Sequence, residues 1–365
     1  MAQLKRRSPK ESETKELVSQ VEDAAKKPLD KIEVSSVDPD WLIPTGSTLL
    51  NCACSDLHTG GYGIGKITNL IGDSSSGKSL LALTSFAEVA MYTRYDDYRL
   101  IYDDVEAALE FNLDYLFGGE ISDRIETNIV SDTIQDFYGN IVKALKDGRP
   151  FIYILDSLDA LTSREEQERA LKEAGMMKKK QDDKGGWKTE KARLVSEILR
   201  VTAREIKSSE ALVVVISQTR DNLGFGFSTK TRSGGRALKF YSCHEMWLSI
   251  REPFKSKNRE IGVRTNAKVS KNKLTGKKRD VDIPIYYDYG VDDLSANVEF
   301  LVTEEVWGKE KNTIVAEELN LRGTKDKLVR LIEENSLEGE VQKLVGASWR
   351  SIEEELRLNR KKRYK

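Results

Sequence analysis

The stretch GDSSSGKS, Gly72 to Ser79, constrains this chain more than any other. It follows the apolar run KITNLIG and opens the helix-compatible run KSLLALTSFAEVAMYTRY. The pattern G-x-x-x-x-G-K-[ST] is met in full, and its meaning depends on this placement between a strand and a helix. Glycines let the backbone curl until successive N–H groups point at one centre, and the helix N-terminus reinforces them. Such a loop holds a phosphate chain. Gly72, Asp73, Ser74, Ser75, Ser76, Gly77, Lys78, Ser79 and Leu80 are therefore candidate nucleotide-binding residues. Lys78 would reach the β- and γ-phosphates, and the Ser79 hydroxyl would ligate Mg²⁺. The plainer reading, an ordinary Gly/Ser turn, leaves the flanking strand and helix unexplained.

The rest of the chain agrees with an α/β class. YRLIYDD, FIYILDS and ALVVVISQ are short apolar runs separated by helical stretches, notably EKARLVSEILRVTAREIKSS. That alternation implies a mostly parallel central sheet covered on both faces. Beyond Gln218 the runs HEMWLSIR, VRTNAKVSKNK and DVDIPIYYDYG lack long helices between them, so antiparallel strands are expected there. TKDKLVRLIEENS and EGEVQKLVGASWRSIEEEL are amphipathic and helical in pattern. Three regions are expected: 1–45, a helix and arm that packs on its own core or a neighbour's; 46–300, the core; and 301–365, a small helical region. The basic end, RLNRKKRYK, reads equally as a solvated terminus or as a phosphate-attracting segment.

Of the 365 residues 33% are charged, yet the net charge is only −1, so any nucleic-acid surface must be local. No apolar run approaches the roughly 18 residues of a membrane helix, and the first residues lack a signal-peptide core. That points to the cytoplasm. Cys52, Cys54 and Cys243 are too few for a disulfide framework. Cys52 and Cys54 with His58 suggest a metal site less than a packed helix with small buried thiols.

A phosphate loop also needs a carboxylate at the end of a neighbouring strand. FIYILDS supplies Asp156, a second candidate magnesium ligand, with Ser157 beside it. Glu106, in LIYDDVEAALE, follows another strand at the ligand-facing edge of a parallel sheet. It reads either as a helix-capping carboxylate or as the general base that orients water.

From about 46 to 295 these motifs resemble, in order and spacing, those of the RecA-family recombinases. PTGSTLLNCACSDLHTGGYGIGKITNLIGDSSSGKSLL is similar to the family's entry into the phosphate loop, and SGGRALKFY to its most recognisable run. The resemblance implies a RecA-like P-loop ATPase core, an N-terminal oligomerisation arm and a small helical C-terminal region. It implies that Glu106 of DDVEAAL is catalytic, that Asp156 of ILDSLDALT holds Mg²⁺, and that Gln218 of ISQTR senses the γ-phosphate. Lys271 and Lys273 of KVSKNK would reach across a subunit interface to the neighbour's ATP. The family's adenine-side aromatic falls on Leu113 here, with Tyr115 close by. Tyr289 of YDYG fits a base-contacting tyrosine contributed by the adjacent subunit.

Two stretches correspond to the family's DNA loops. The second, RDNLGFGFSTKTRSGG at about 220–235, carries Arg220, Lys230 and Arg232, followed by Arg236, with apolar Leu223, Phe225 and Phe227. Glycines beside aromatics suit a flexible loop that orders on a strand, cations on phosphates and apolar wedges between bases. The plainer reading packs Phe225 and Phe227 beneath the loop. The first, REEQERALKEAGMMKKKQDDKGGWKTE at about 164–190, is longer and more charged than in bacterial members. Trp187 is its candidate stacking residue and Lys178 to Lys180 its phosphate patch; the plainer reading is a solvated excursion. The long loop and the basic tail, where bacterial members have an acidic one, resemble phage-encoded versions acting in a host cytoplasm.

The implied function is that of a DNA-dependent ATPase using ATP and Mg²⁺. It would form helical filaments on single-stranded DNA, pair them with homologous duplex DNA and exchange strands. Single-strand-binding and loader proteins would be its further partners. Three alternatives share the phosphate loop: a ring helicase, a regulatory recombinase paralogue and a small-molecule kinase. The run GGRALKFY and the arm speak against a ring, and no acceptor pocket or lid suggests a kinase. No residue signature separates a strand-exchanging member from a regulator.

Overall fold

The computed structural model describes residues 37–109, 111–174, 187–222, 229–232, 235–360 and 363–364. The expected N-terminal helix, Lys178 to Lys180, Leu223, Phe225 and Phe227 lie outside the described residues.

A short antiparallel pair, β1 (Leu42–Ile43) and β2 (Tyr62–Gly63), precedes the main sheet. That sheet contains β3 (Lys66–Gly72), β4 (Arg99–Asp104), β5 (Ile125–Glu126), β6 (Phe151–Asp156), β7 (Leu212–Asn222), β8 (Thr229–Arg232), β9 (His244–Ser256), β10 (Arg259–Asn272), β11 (Asp280–Tyr286) and β12 (Gly290–Val291). Their order is β12-β11-β10-β9-β3-β7-β6-β4-β5, with β8 paired to the end of β7. The five strands from β3 to β5 run parallel. All six residues of β6 are buried, as expected of a strand covered on both faces. Its side chains alternate between two cores. Ile152 and Ile154 join Leu81, Phe86 and Val89 of the helix Lys78–Ala90. Phe151, Tyr153 and Leu155 join the helices Ile134–Asp147 and Trp187–Ser208 on the other side.

Local chemistry sets the helix ends. Thr133 and Asp136 form a reciprocal capping box at the start of Ile134–Asp147, and Gly148, at φ +82°, ends it in the left-handed region. Thr48–Ser55 is the expected packed helix, with Cys52 and Cys54 fully buried within it.

Four features depart from expectation. β9 lies parallel to β3, so the antiparallel part starts one strand later, at β10. The short helix Gly235–Tyr241 supplies the crossover that a parallel neighbour requires. The second loop is in part a β-hairpin: β7 runs on to Asn222, and β8 pairs with it from Thr219↔Arg232 to Asn222↔Thr229. The first loop opens with the helix Arg164–Glu173, capped by Ser163 and Glu166, and Trp187 begins a helix rather than ending a loop. The region 301–365 adds a three-stranded antiparallel sheet, β13 (Gly308–Glu310), β14 (Thr313–Ala316) and β15 (Leu321–Gly323), to the helices Lys325–Glu334 and Glu338–Glu355. Those strands are too short for a period-two pattern to show.

Among the described residues no helix is long and apolar enough to cross a membrane.

Candidate functional site

Parallel strands deliver their C-terminal ends to one edge of the sheet, and the site is built there. Gly72 stands beside Gln218 on one side and Leu248 on the other; Asp104 stands beside Asp156. A Cβ on Gly72 would fall 2.6 Å from Leu248 O and from Ser76 Oγ, so only glycine lets the chain leave β3 there. Gly77, at φ +85°, turns the loop into the helix, and a Cβ on it would meet Ile285 Cδ1 at 2.5 Å.

Inside the loop, Asp73 O accepts from Ser76 Oγ (2.8 Å) and from Lys78 Nζ (2.6 Å). An ammonium has three donors, so Lys78 keeps two for phosphate oxygens. Burial pulls its pKa below the usual lysine range, while Asp156, Glu106, Asp73 and Asp159 push it back up. Ser79 Oγ donates to Asp156 Oδ2 (2.5 Å), which also accepts from the Tyr102 hydroxyl (2.7 Å). Burial pushes the Asp156 carboxyl up, and these two bonds draw it down. A hydroxyl and a carboxylate in contact at the mouth of a phosphate loop form the oxygen set Mg²⁺ takes, with waters and phosphate completing it.

Glu106 lies in the turn after β4, not on a helix. Its Oε1 accepts from Ser157 Oγ (2.5 Å) and from Gln218 Nε2 (2.9 Å). Both bonds fall on one oxygen, so Oε2 is the one offered to a water. The Gln218 backbone N–H donates to Asp159 Oδ2 (2.7 Å), fixing the strand end from which its side chain projects.

Beside the loop a cavity of about 410 Å³ is lined by Ser75, Gly77, Lys78, Ser79 and Leu80, and closed by Phe111 and Tyr287. Both rings are partly exposed, at 42% and 52%, as the walls of a slot for a flat apolar group would be. Sequence reading missed both residues. The available signals were an aromatic five residues after Glu106 and the first tyrosine upstream of Tyr289 in YDYG.

Other sequence candidates fall elsewhere. Tyr115 and Tyr289 share a second cleft, of about 550 Å³, with Asp292 and Arg330, and neither lines the phosphate-loop cavity. Lys271 and Lys273 lie at the opposite edge of the sheet: Lys271 pairs with Glu245, which pairs with Asn69, upstream of Gly72. Lys271 Nζ donates to Lys239 O and Phe240 O, and Lys273 Nζ to Phe240 O (2.7 Å). Partial burial and the neighbouring Lys273 lower the Lys271 pKa to about 8. Phe240, 70% exposed beside them, is a further residue that sequence reading passed over. The backbones of Arg220, Lys230 and Arg232 lie on the β7–β8 hairpin, and Arg236 lies on the crossover helix.

A profile of the RecA N-terminal domain matches residues 19–292. Protein RecA of a Thermus thermophilus strain is 30% identical over 301 residues, covering 80% of this chain and 81% of that protein. Protein RecA of Thermotoga maritima is 27% identical over 341 residues, 90% and 89% of the two chains. That of Bacillus licheniformis is 28% identical over 274 residues, 73% and 72%. Sequence profile, relatives and sheet agree: the chain belongs to the RecA family of ATP-dependent recombinases.

Proposed function

We propose that this recombinase assembles as a helical filament on single-stranded DNA and hydrolyses ATP at its subunit interfaces, with pairing to homologous duplex DNA as the outcome. The observation that carries the reading is the bond from Gln218 to Glu106, because it joins the hydrolytic carboxylate to the strand that becomes the hairpin.

The P-loop amides and Lys78 hold the phosphates, with adenine between Phe111 and Tyr287 rather than on Tyr115 or Tyr289. Ser79 and Asp156 would hold Mg²⁺, which would supply charge neutralisation at the phosphates. Glu106 takes the proton from the attacking water through Oε2, giving ADP and phosphate. Lys271 and Lys273 turn toward the Phe240 carbonyl rather than toward their own P-loop, and they serve a neighbour's nucleotide. Phe240, exposed between them and solvent, is the apolar anchor of that contact. Arg220, Lys230, Arg232 and Arg236 bring cations to the DNA backbone. Leu223, Phe225 and Phe227 supply the apolar contacts to bases, and Trp187 flanks the first loop. Binding of this kind has little sequence preference, since the bases themselves read homology. A cytoplasmic setting, with single-strand-binding and loader proteins on hand, suits such a substrate.

The test is ATP turnover with and without single-stranded DNA, with electron microscopy of the same samples. Stimulated turnover with helical filaments supports the reading. Closed rings, or turnover indifferent to DNA, would overturn it.

A further inference from the structure

Asp73 is an unexpected residue in a loop built for phosphates, because its carboxylate has the same sign as the ligand. Its side chain is engaged. Thr219 Oγ1, the residue after Gln218, donates to Asp73 Oδ1. Thr219 also forms the first register pair of the hairpin, opposite Arg232. The backbone carbonyl of the same aspartate holds Lys78 Nζ at 2.6 Å and Ser76 Oγ at 2.8 Å. One residue thus grips the phosphate-binding lysine through its main chain and the root of the hairpin through its side chain.

We propose that the Thr219–Asp73 bond is a second coupling between nucleotide and hairpin, separate from the Gln218–Glu106 bond, which makes Thr219 a positioning residue. The two routes leave adjacent residues of β7 and end on different elements, the phosphate loop and the turn after β4. A shift of the loop around phosphate moves Asp73 and hence Thr219; a strand bound on the hairpin moves Thr219 and hence the carbonyl that aims Lys78. The inference rests on the hairpin being a DNA-binding element.

Linkage supplies the test, because coupling between two ligands must be equal in both directions. The full chain is titrated with an oligothymidine strand, with and without a non-hydrolysable ATP analogue, and with the analogue, with and without the strand. Thr219→Val keeps the shape and removes the hydroxyl; it should cut both coupling factors by the same amount, roughly fivefold. Thr219→Ser should restore them, which a loss of packing alone would not. In an Asp73→Ala background Thr219→Val should add nothing further. Wild-type coupling in Thr219→Val overturns this inference alone. A wild-type protein whose DNA affinity ignores the analogue overturns it together with the reading of the hairpin.

Discussion

Lys273 Nζ donates to the Phe240 carbonyl at 2.7 Å and lies 5.5 Å from the centre of the same residue's ring. Lysine and phenylalanine thus form one exposed corner, at the edge of the sheet away from the phosphate loop. If that corner completes a neighbour's site, catalysis should be shared between subunits. Lys271→Ala and Glu106→Gln should each abolish DNA-stimulated turnover alone. Mixed in equal amounts before assembly, they should recover roughly a quarter of wild-type turnover, from interfaces that pair an intact glutamate with intact lysines. A phosphate-release assay on the mixture decides it. No recovery would mean that the lysines serve their own chain or serve only assembly.

Glu106 and Gln218 share one bond but should fail differently. Glu106→Gln removes the base and should lower turnover about a hundredfold or more while leaving ATP affinity near wild type. Gln218→Ala leaves the carboxylate and its bond from Ser157 in place. It should spare basal turnover and remove most of the DNA stimulation. Steady-state kinetics with and without single-stranded DNA separate the two. Equal loss of basal and stimulated rates in Gln218→Ala would make the glutamine catalytic rather than a sensor.

The adenine assignment is the most direct to check. Stacking of a base on an aromatic side chain contributes about 1–3 kcal/mol. Phe111→Ala or Tyr287→Ala should therefore raise the dissociation constant of ATP about tenfold, with less effect on inorganic triphosphate. Tyr115→Ala and Tyr289→Ala should leave it unchanged, since their cleft is separate from the phosphate-loop cavity. Calorimetric titration of the four variants gives the answer. A reversed pattern would return adenine to the second cleft.

The central strands were legible in the sequence, and the aromatic walls of the adenine slot were not. The strands β6 and β7 carry unbroken apolar runs and β3 and β4 shorter ones between turn signals, which leaves little freedom in assignment. Lys78 and Ser79 open the helix that leaves β3, Asp156 ends β6, Glu106 follows β4 and Gln218 stands beside Gly72 on β7, so topology alone brings them together. Phe111 and Tyr287 do not: Phe111 lies in an irregular stretch before the short helix Leu113–Phe117. Which of several aromatics turns inward there depends on packing that periodicity does not encode. The parallel placement of β9 was hidden for a related reason, because its crossover helix is only seven residues long. Loop composition identified the cations of the hairpin, but the pairing of Thr219 with Arg232 depends on register.

The chain's two histidines and one partly buried glutamate should set its acid response. His244 is fully buried and His58 partly so, and desolvation lowers both to about 4. Gly346 packs against the His58 ring, and the Cys54 backbone and Asn272 side chain beside His244 offset only part of its desolvation. Each binds a proton in the unfolded chain near pH 6.5 but not in the folded one, so stability falls as pH drops below 6.5. Between pH 7.5 and 5 each histidine should cost about 2 kcal/mol. Glu88 has the opposite sign. Desolvation, with Asp293 nearby, raises its carboxyl to about 7, so the fold binds a proton that the unfolded chain has released, and stability rises on acidification. The gain should also be about 2 kcal/mol over the same range. Urea unfolding at the two pH values should show a shallower acid loss in His244→Asn than in wild type, and a steeper one in Glu88→Gln. Comparing variants cancels the other carboxylates. Parallel behaviour of all three proteins would mean that these groups are solvated in the folded chain.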